Sequence, residues 1–111
     1  MQPLETSPVP DTSLTDPLGR IIVLHNHTWY GHILKRHPEM RPYRVLVEQA
    51  VSNPLEIRIS DADADSRLYF AAGPRQGIMV AVVADVSRGF VRTAHLVRTA
   101  RGAIEWSPPT P

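Results

Sequence analysis

Five histidines are the residues best suited to chemistry in this chain, and four of them, His25, His27, His32 and His37, fall between Leu24 and Pro38. The fifth, His95, lies in Phe90-Val91-Arg92-Thr93-Ala94-His95-Leu96-Val97. Imidazole takes and gives a proton near neutral pH more readily than other side chains. His32 and Arg36 are four apart and share a helix face, with His37 following at the helix end. Strand alternation sets Thr93 beside His95 on one face, flanked by Val91 and Val97. In Arg67-Leu68-Tyr69-Phe70-Ala71 the same alternation groups Arg67 with Tyr69, so these four polar residues are expected on a common sheet face. Histidines, arginines, a tyrosine and a hydroxyl without paired carboxylates lack the oxygen ligands that magnesium takes. They suit attack of a ribose 2′-hydroxyl on its own phosphate. One imidazole would accept the hydroxyl proton, another would protonate the leaving 5′-oxygen, and arginine would neutralise the phosphoryl oxygens. Taken singly, each histidine is better explained as a surface residue or, for one of them, a core residue.

Two other signals point to metals, and neither is complete. His25-Asn26-His27 spells the name of a metal nuclease motif, but that motif is discontinuous and needs its own ββα setting. His25, His27 and His32 form a possible zinc set without an accompanying carboxylate or thiolate. Asp61-Ala62-Asp63-Ala64-Asp65 imitates the start of a calcium loop, yet Ser66 stands where the sharp turn needs glycine and Ala72 where a bidentate glutamate belongs. It reads as a solvated hairpin loop. No cofactor and no metal is expected.

The elements that must position these groups fit one domain of 111 residues with 42% apolar content. Absence of cysteine excludes disulfides and thiolate metal sites. The longest apolar run, Ile78 to Ala84, is too short to span a bilayer, and the N-terminus lacks a secretory pattern. A cytoplasmic location and no membrane partner are expected. Net charge is +1, but it is unevenly spread. Residues 1–19 hold Glu5, Asp11 and Asp16 and no base, whereas every arginine and the single lysine lie beyond them. Arginine matches phosphate and stacks on bases; a solvated surface encoded by a GC-rich genome explains the same composition equally well.

Residues 1–19, with four prolines and no apolar periodicity, are expected to be a disordered acidic leader that is dispensable for folding, and residues 107–111 a disordered tail. The domain proper is expected over 20–106. Arg20–His25 reads as a strand. A first helix capped by Asn26 or Thr28 runs to about Arg36, where Pro38 pushes His37 out of helical geometry. A second starts near Pro42 and stops at Asn53-Pro54. Strands follow at Leu55–Ser60, Arg67–Ala71, Ile78–Asp85, Gly89–Val97 and Ala103–Trp106, and Ile78–Asp85, apolar on both faces, belongs at the centre. The expected fold is α+β, with N-terminal helices on one face of a four- to five-stranded antiparallel sheet.

The segments His32-Ile33-Leu34-Lys35-Arg36-His37-Pro38-Glu39-Met40, Val51-Ser52-Asn53-Pro54, Arg67-Leu68-Tyr69-Phe70 and Gly89-Phe90-Val91-Arg92-Thr93-Ala94-His95-Leu96 resemble those of the phage-associated barnase–EndoU–colicin–RelE-like nucleases. The likeness covers roughly Trp29 to Trp106. It implies N-terminal helices before a four-stranded antiparallel sheet and metal-independent cleavage of RNA, often as a toxin, with RNA and an immunity or antitoxin protein as partners. His32, His37, Arg67, Thr93 and His95 match the recurrent polar positions and are the catalytic candidates, with Arg36, Tyr69 and Arg92 as substrate contacts. The competing reading is a catalytically silent domain of the same fold that binds RNA or a protein. Fold alone does not choose between them, because function lives in the site.

Overall fold

The computed structural model describes residues 10–110. Its centre is Met79–Asp85, whose side chains up to Ala84 are apolar on both faces and mostly buried, as a strand covered on either side requires. In chain order the strands are β1 (Thr12–Thr15), β2 (Ile21–Leu24), β3 (Glu56–Ile59), β4 (Ser66–Ala72), β5 (Met79–Asp85), β6 (Phe90–Val97) and β7 (Ala103–Trp106). They form one seven-stranded sheet in the order β1-β2-β6-β5-β4-β3-β7. All neighbours are antiparallel except β2 and β6, which meet in parallel at Val23 and Phe90. The α+β class is as expected, but the sheet is larger than four or five strands and is mixed. The strand at residues 20–25 and a partner from the supposed leader account for the difference.

Residues 10–19 are thus not a disordered leader; residues 1–9 lie outside the described residues. Thr12–Thr15 pairs along its whole length with Ile21–Leu24. The reason is polar rather than apolar. Asp16, 3% exposed, accepts hydrogen bonds from Tyr69 Oη at 2.6 Å, Arg20 Nε at 2.7 Å and the Leu18 and Arg20 amides at 2.9 Å. Arg20 reaches on to Glu105 of β7, its Nη2 2.7 Å from Oε1, and Arg67 Nε donates to the same carboxylate at 2.9 Å. This chain of charges joins β2, β4 and β7, which lie far apart in the strand order, so the sheet is curled.

Curling separates an inner face from an outer one. The inner face carries Ile57, Tyr69, Val82 and Ala94 and is filled by the second helix, Arg44–Ser52, through Val47, Ala50 and Val51. A 3-10 segment, Pro38–Tyr43, leads into that helix, which therefore begins two residues later than Pro42. The first helical stretch has three parts, Asn26–Thr28, a π-helical turn Trp29–Ile33 and Leu34–Arg36, and it packs along β6. Its entry is capped neither by Asn26 nor by Thr28: His25 is the N-cap residue without a side-chain cap bond, and the Asp11 carboxylate accepts from the Asn26 amide at 2.8 Å. Arg44 ties the helices to β1 by donating to Asn26 Oδ1 and Thr12 Oγ1, and its guanidinium lies 5.6 Å from the Trp29 ring centroid. Gly89, at φ +81°, closes the β5–β6 turn; a Cβ there would stand 2.9 Å from the Ile21 carbonyl oxygen and block the approach of β2.

Burial disfavours the charged Asp16 carboxyl, but the bonds from Tyr69 and Arg20 outweigh it and hold the group below the ordinary carboxylate range. A carboxyl depressed on folding contributes stability above its unfolded value, about pH 4, and that contribution is lost as pH falls through the folded value. Asp16→Ala is expected to destabilise by roughly 3 kcal/mol, because it strands a buried phenol and loosens a partly buried arginine. Urea unfolding at pH 7 measures this, and the gap between parent and variant should narrow in acid. Removal of residues 1–19 should likewise destabilise; an unchanged midpoint in both would show that the network contributes nothing.

Candidate active site

The outer face is built by register. Thr93 stands opposite Val83 and Leu68, and His95 opposite Ala81 and Phe70. Leu68, Phe70 and Ala81 therefore share the face of Thr93 and His95, and Arg67 and Tyr69 do not. Arg67 aligns with Ala84 and Val91, Tyr69 with Val82 and Ala94, all on the inner face. The expected common polar face is corrected by one residue of register, which turns a strand over. Tyr69 is fully buried and spent on Asp16, and Arg67 is spent on Glu105 and the Ala64 carbonyl. Neither side chain is placed to meet a substrate beside His95. A bulge between β5 and β6 makes Arg92 the extra residue and sends Val91 inward beside Ala94, so Val91 does not flank Thr93 and His95.

A histidine from the helix does meet His95, and it is His37. Pro38 stops the first helix, and His37 leaves it with φ −133° and ψ 68°. That turn lays its ring on His95, with centroids 5.3 Å apart and planes 27° from parallel. Glu39 Oε2 stands 3.6 Å from His37 Nδ1, a charge contact longer than a hydrogen bond. His95 Nδ1 is enclosed without a partner, which leaves Nε2 as the nitrogen open to a ligand. Burial above all, and then the charge of His37, lowers the His95 pKa from its ordinary value, against a smaller opposing pull from Glu39.

His95 forms one wall of a cleft of about 370 Å³ floored by Leu68, Phe70 and Ala81. The segment that carries the chain from β6 across to β7 closes it with Arg98, Thr99 and Arg101. Both arginines are exposed and lack a carboxylate partner among the described residues. The sequence did contain a signal for them, two arginines just past a histidine-bearing strand, but only the crossing of the sheet puts them over His95. His32 and Thr93 meet instead in an adjoining cleft of about 650 Å³, together with Arg92 and Asp63. There Arg92 Nη1 donates to Asp63 Oδ2 at 2.8 Å. Arg36 is exposed and lines neither cleft.

The possible zinc set does not assemble. His25 stacks on His27 with centroids 5.1 Å apart and pairs with Asp11 at 2.8 Å, and no three His, Asp or Glu side chains converge among the described residues. Residues 60–65 form the β3–β4 hairpin loop, organised by Asp63, which accepts from the Asp65 amide and from the hydroxyl of Ser66 at the start of β4. No helix among the described residues is long and apolar enough to cross a membrane. No family model matches this chain, and neither a curated protein nor a solved structure matches it.

Two measurements separate structural from chemical groups here. Arg67→Ala is expected to cost about 1–2 kcal/mol of stability, as loss of a charged hydrogen bond would, while leaving the His95 resonances in place. Movement of the His95 ring signals with an unshifted unfolding midpoint would return Arg67 to the site. In an NMR titration His95 should change charge below pH 6.5. Glu39→Gln should move that midpoint lower still, because a neighbouring negative charge favours the protonated ring and its loss favours the neutral one. An upward shift would show that Glu39 does not act on this pair.

Proposed function

We propose that the protein cleaves RNA by metal-independent attack of a 2′-hydroxyl on the adjacent phosphate, with His95 as general base and His37 as general acid. The observation that carries this reading is the stacking of His37 on His95, which lines a cleft with two arginines that have no carboxylate partner among the described residues. Lowered by burial, His95 is neutral at neutral pH and able to accept the 2′-hydroxyl proton at Nε2. The 2′-oxygen forms its bond to phosphorus as the bond from phosphorus to the 5′-oxygen breaks, and His37 gives its proton to that oxygen. Glu39 Oε2 stands 3.6 Å from the Nδ1 of that ring. Arg98 and Arg101 take the phosphate oxygens, where charge grows in the transition state. Of the catalytic candidates read from the sequence, this mechanism keeps His37 and His95. It moves His32, Thr93 and Arg92 to a neighbouring role and gives Arg67 and Tyr69 a structural one.

Incubation of the purified chain with end-labelled RNA in excess EDTA tests the proposal. Cleavage should persist and leave a 2′,3′-cyclic phosphate or 3′-phosphate. His95→Ala and His37→Ala should each reduce the rate about a hundredfold to ten-thousandfold, and Arg98→Ala with Arg101→Ala should weaken phosphate binding. Cleavage abolished by chelator and restored by a metal ion would overturn the mechanism. RNA binding without cleavage would favour a silent binding domain.

A further inference from the structure

We infer that the larger cleft beside this pair is a subsite for the unpaired nucleobase of the nucleotide whose phosphate lies at His95, an assignment that rests on the proposed RNA chemistry for its polarity but not for its existence. The cleft, about 650 Å³, lies between the first helix, the β3–β4 loop and the start of β6. Its chemistry differs from that of the arginine-lined cleft. Arg92 and Asp63 neutralise each other at its rim, and Val83 contributes apolar surface. Such a space suits a neutral planar group better than a phosphate. Planar faces are available on His27, His32 and Phe90, and bases in single-stranded RNA are held by stacking on side chains of this kind.

Two features have no explanation within the fold. Gly31 sits inside the π-helical turn Trp29–Ile33, where glycine weakens a helix relative to alanine, yet a Cβ there would meet nothing within 4 Å. Packing therefore does not demand glycine; what its missing side chain provides is an open wall for the cleft. π-Turns of this sort recur at functional sites. Thr93, on the cleft wall, has an Oγ1 that no protein group satisfies, although a hydroxyl both donates and accepts. That oxygen is enclosed, and a change of χ1 to another staggered well is what would turn it to the edge of a base.

The spacing fits one nucleotide. Thr93 and His95 are two residues apart on the same strand face, about 7 Å. Strand β6 thus carries one member toward each cleft, Thr93 to the larger and His95 to the smaller, at the separation between a phosphate and the base of its own nucleotide.

Binding of free nucleosides and of inorganic phosphate, each followed by amide and histidine NMR shifts in separate titrations, reads the two clefts independently. At least one of adenosine, guanosine, cytidine and uridine should perturb Gly31, His32 and Thr93, and inorganic phosphate should perturb His95 and Arg98. The matching nucleoside 3′-monophosphate should bind at least tenfold tighter than either part. Gly31→Leu, which fills the wall at an ordinary helical φ, should abolish nucleoside binding and leave phosphate binding intact. Phe90→Ala should weaken nucleosides severalfold, and Thr93→Val should narrow the preference among the four bases. If no nucleoside perturbs the cleft, or if Gly31→Leu binds them as the parent does, the subsite is wrong even where RNA is still cleaved. If nucleosides bind as described but RNA is never cleaved, the subsite stands and the catalytic reading falls.

Discussion

A single buried carboxylate constrains this structure more than any other group. Asp16 is ionised and almost fully enclosed, a state that is tolerable only because four donors converge on it. Those donors come from its own turn and from β4, and Arg20 passes the connection to Glu105 on β7. The demand for partners draws opposite ends of the strand order together and curls the sheet. Burial together with the bond to Asp16 raises the Tyr69 pKa, so the phenol remains a donor and the connection persists at physiological pH.

Curling makes the two faces unequal. Arginine and tyrosine on the inner face are consumed in holding the sheet, and the rest of that face is apolar beneath the second helix. The outer face lies away from the second helix. It is covered in part by the segment that must cross from β6 to β7, and in part by the histidine-bearing helix along β6. Phe70 and Ala81 are buried there, and polar groups arrive only at the margins. This geometry divides the candidate site by charge, with arginines that lack a carboxylate partner among the described residues over His95, and a mutually neutralised Arg92–Asp63 pair beside Thr93.

Much of this was legible in the residues themselves. Pro38 ending the first helix at His37, the apolar run of β5 placing it at the centre, and Thr93 sharing a face with His95 all follow from local backbone sterics and strand period. The misplacement of Arg67 and Tyr69 has a different cause. Alternation says which residues of one strand share a face, but register between strands says which faces coincide, and register is set by contacts distant in sequence. The bulge at Arg92 is of the same kind, since nothing in Val91-Arg92-Thr93 announces an extra residue.

The segment at residues 10–19 shows the division most sharply. Composition determined that it has too little apolar surface to fold by burial, and that remains true: Leu14 is its only partly buried hydrophobic residue packed on the core. What composition does not contain is a phenol and a guanidinium waiting for one carboxylate fifty-three residues away from the tyrosine. The sequence by itself determined the α+β class, the central strand, the histidine supply and the helix end that aims His37. Tertiary structure alone decided that Asp16 is structural, that Arg67 and Tyr69 serve the fold, and that Arg98 and Arg101 reach His95. The physical reason is that propensity and periodicity act over a few residues, whereas pairing of buried charges and crossing of a sheet are settled only when distant segments meet.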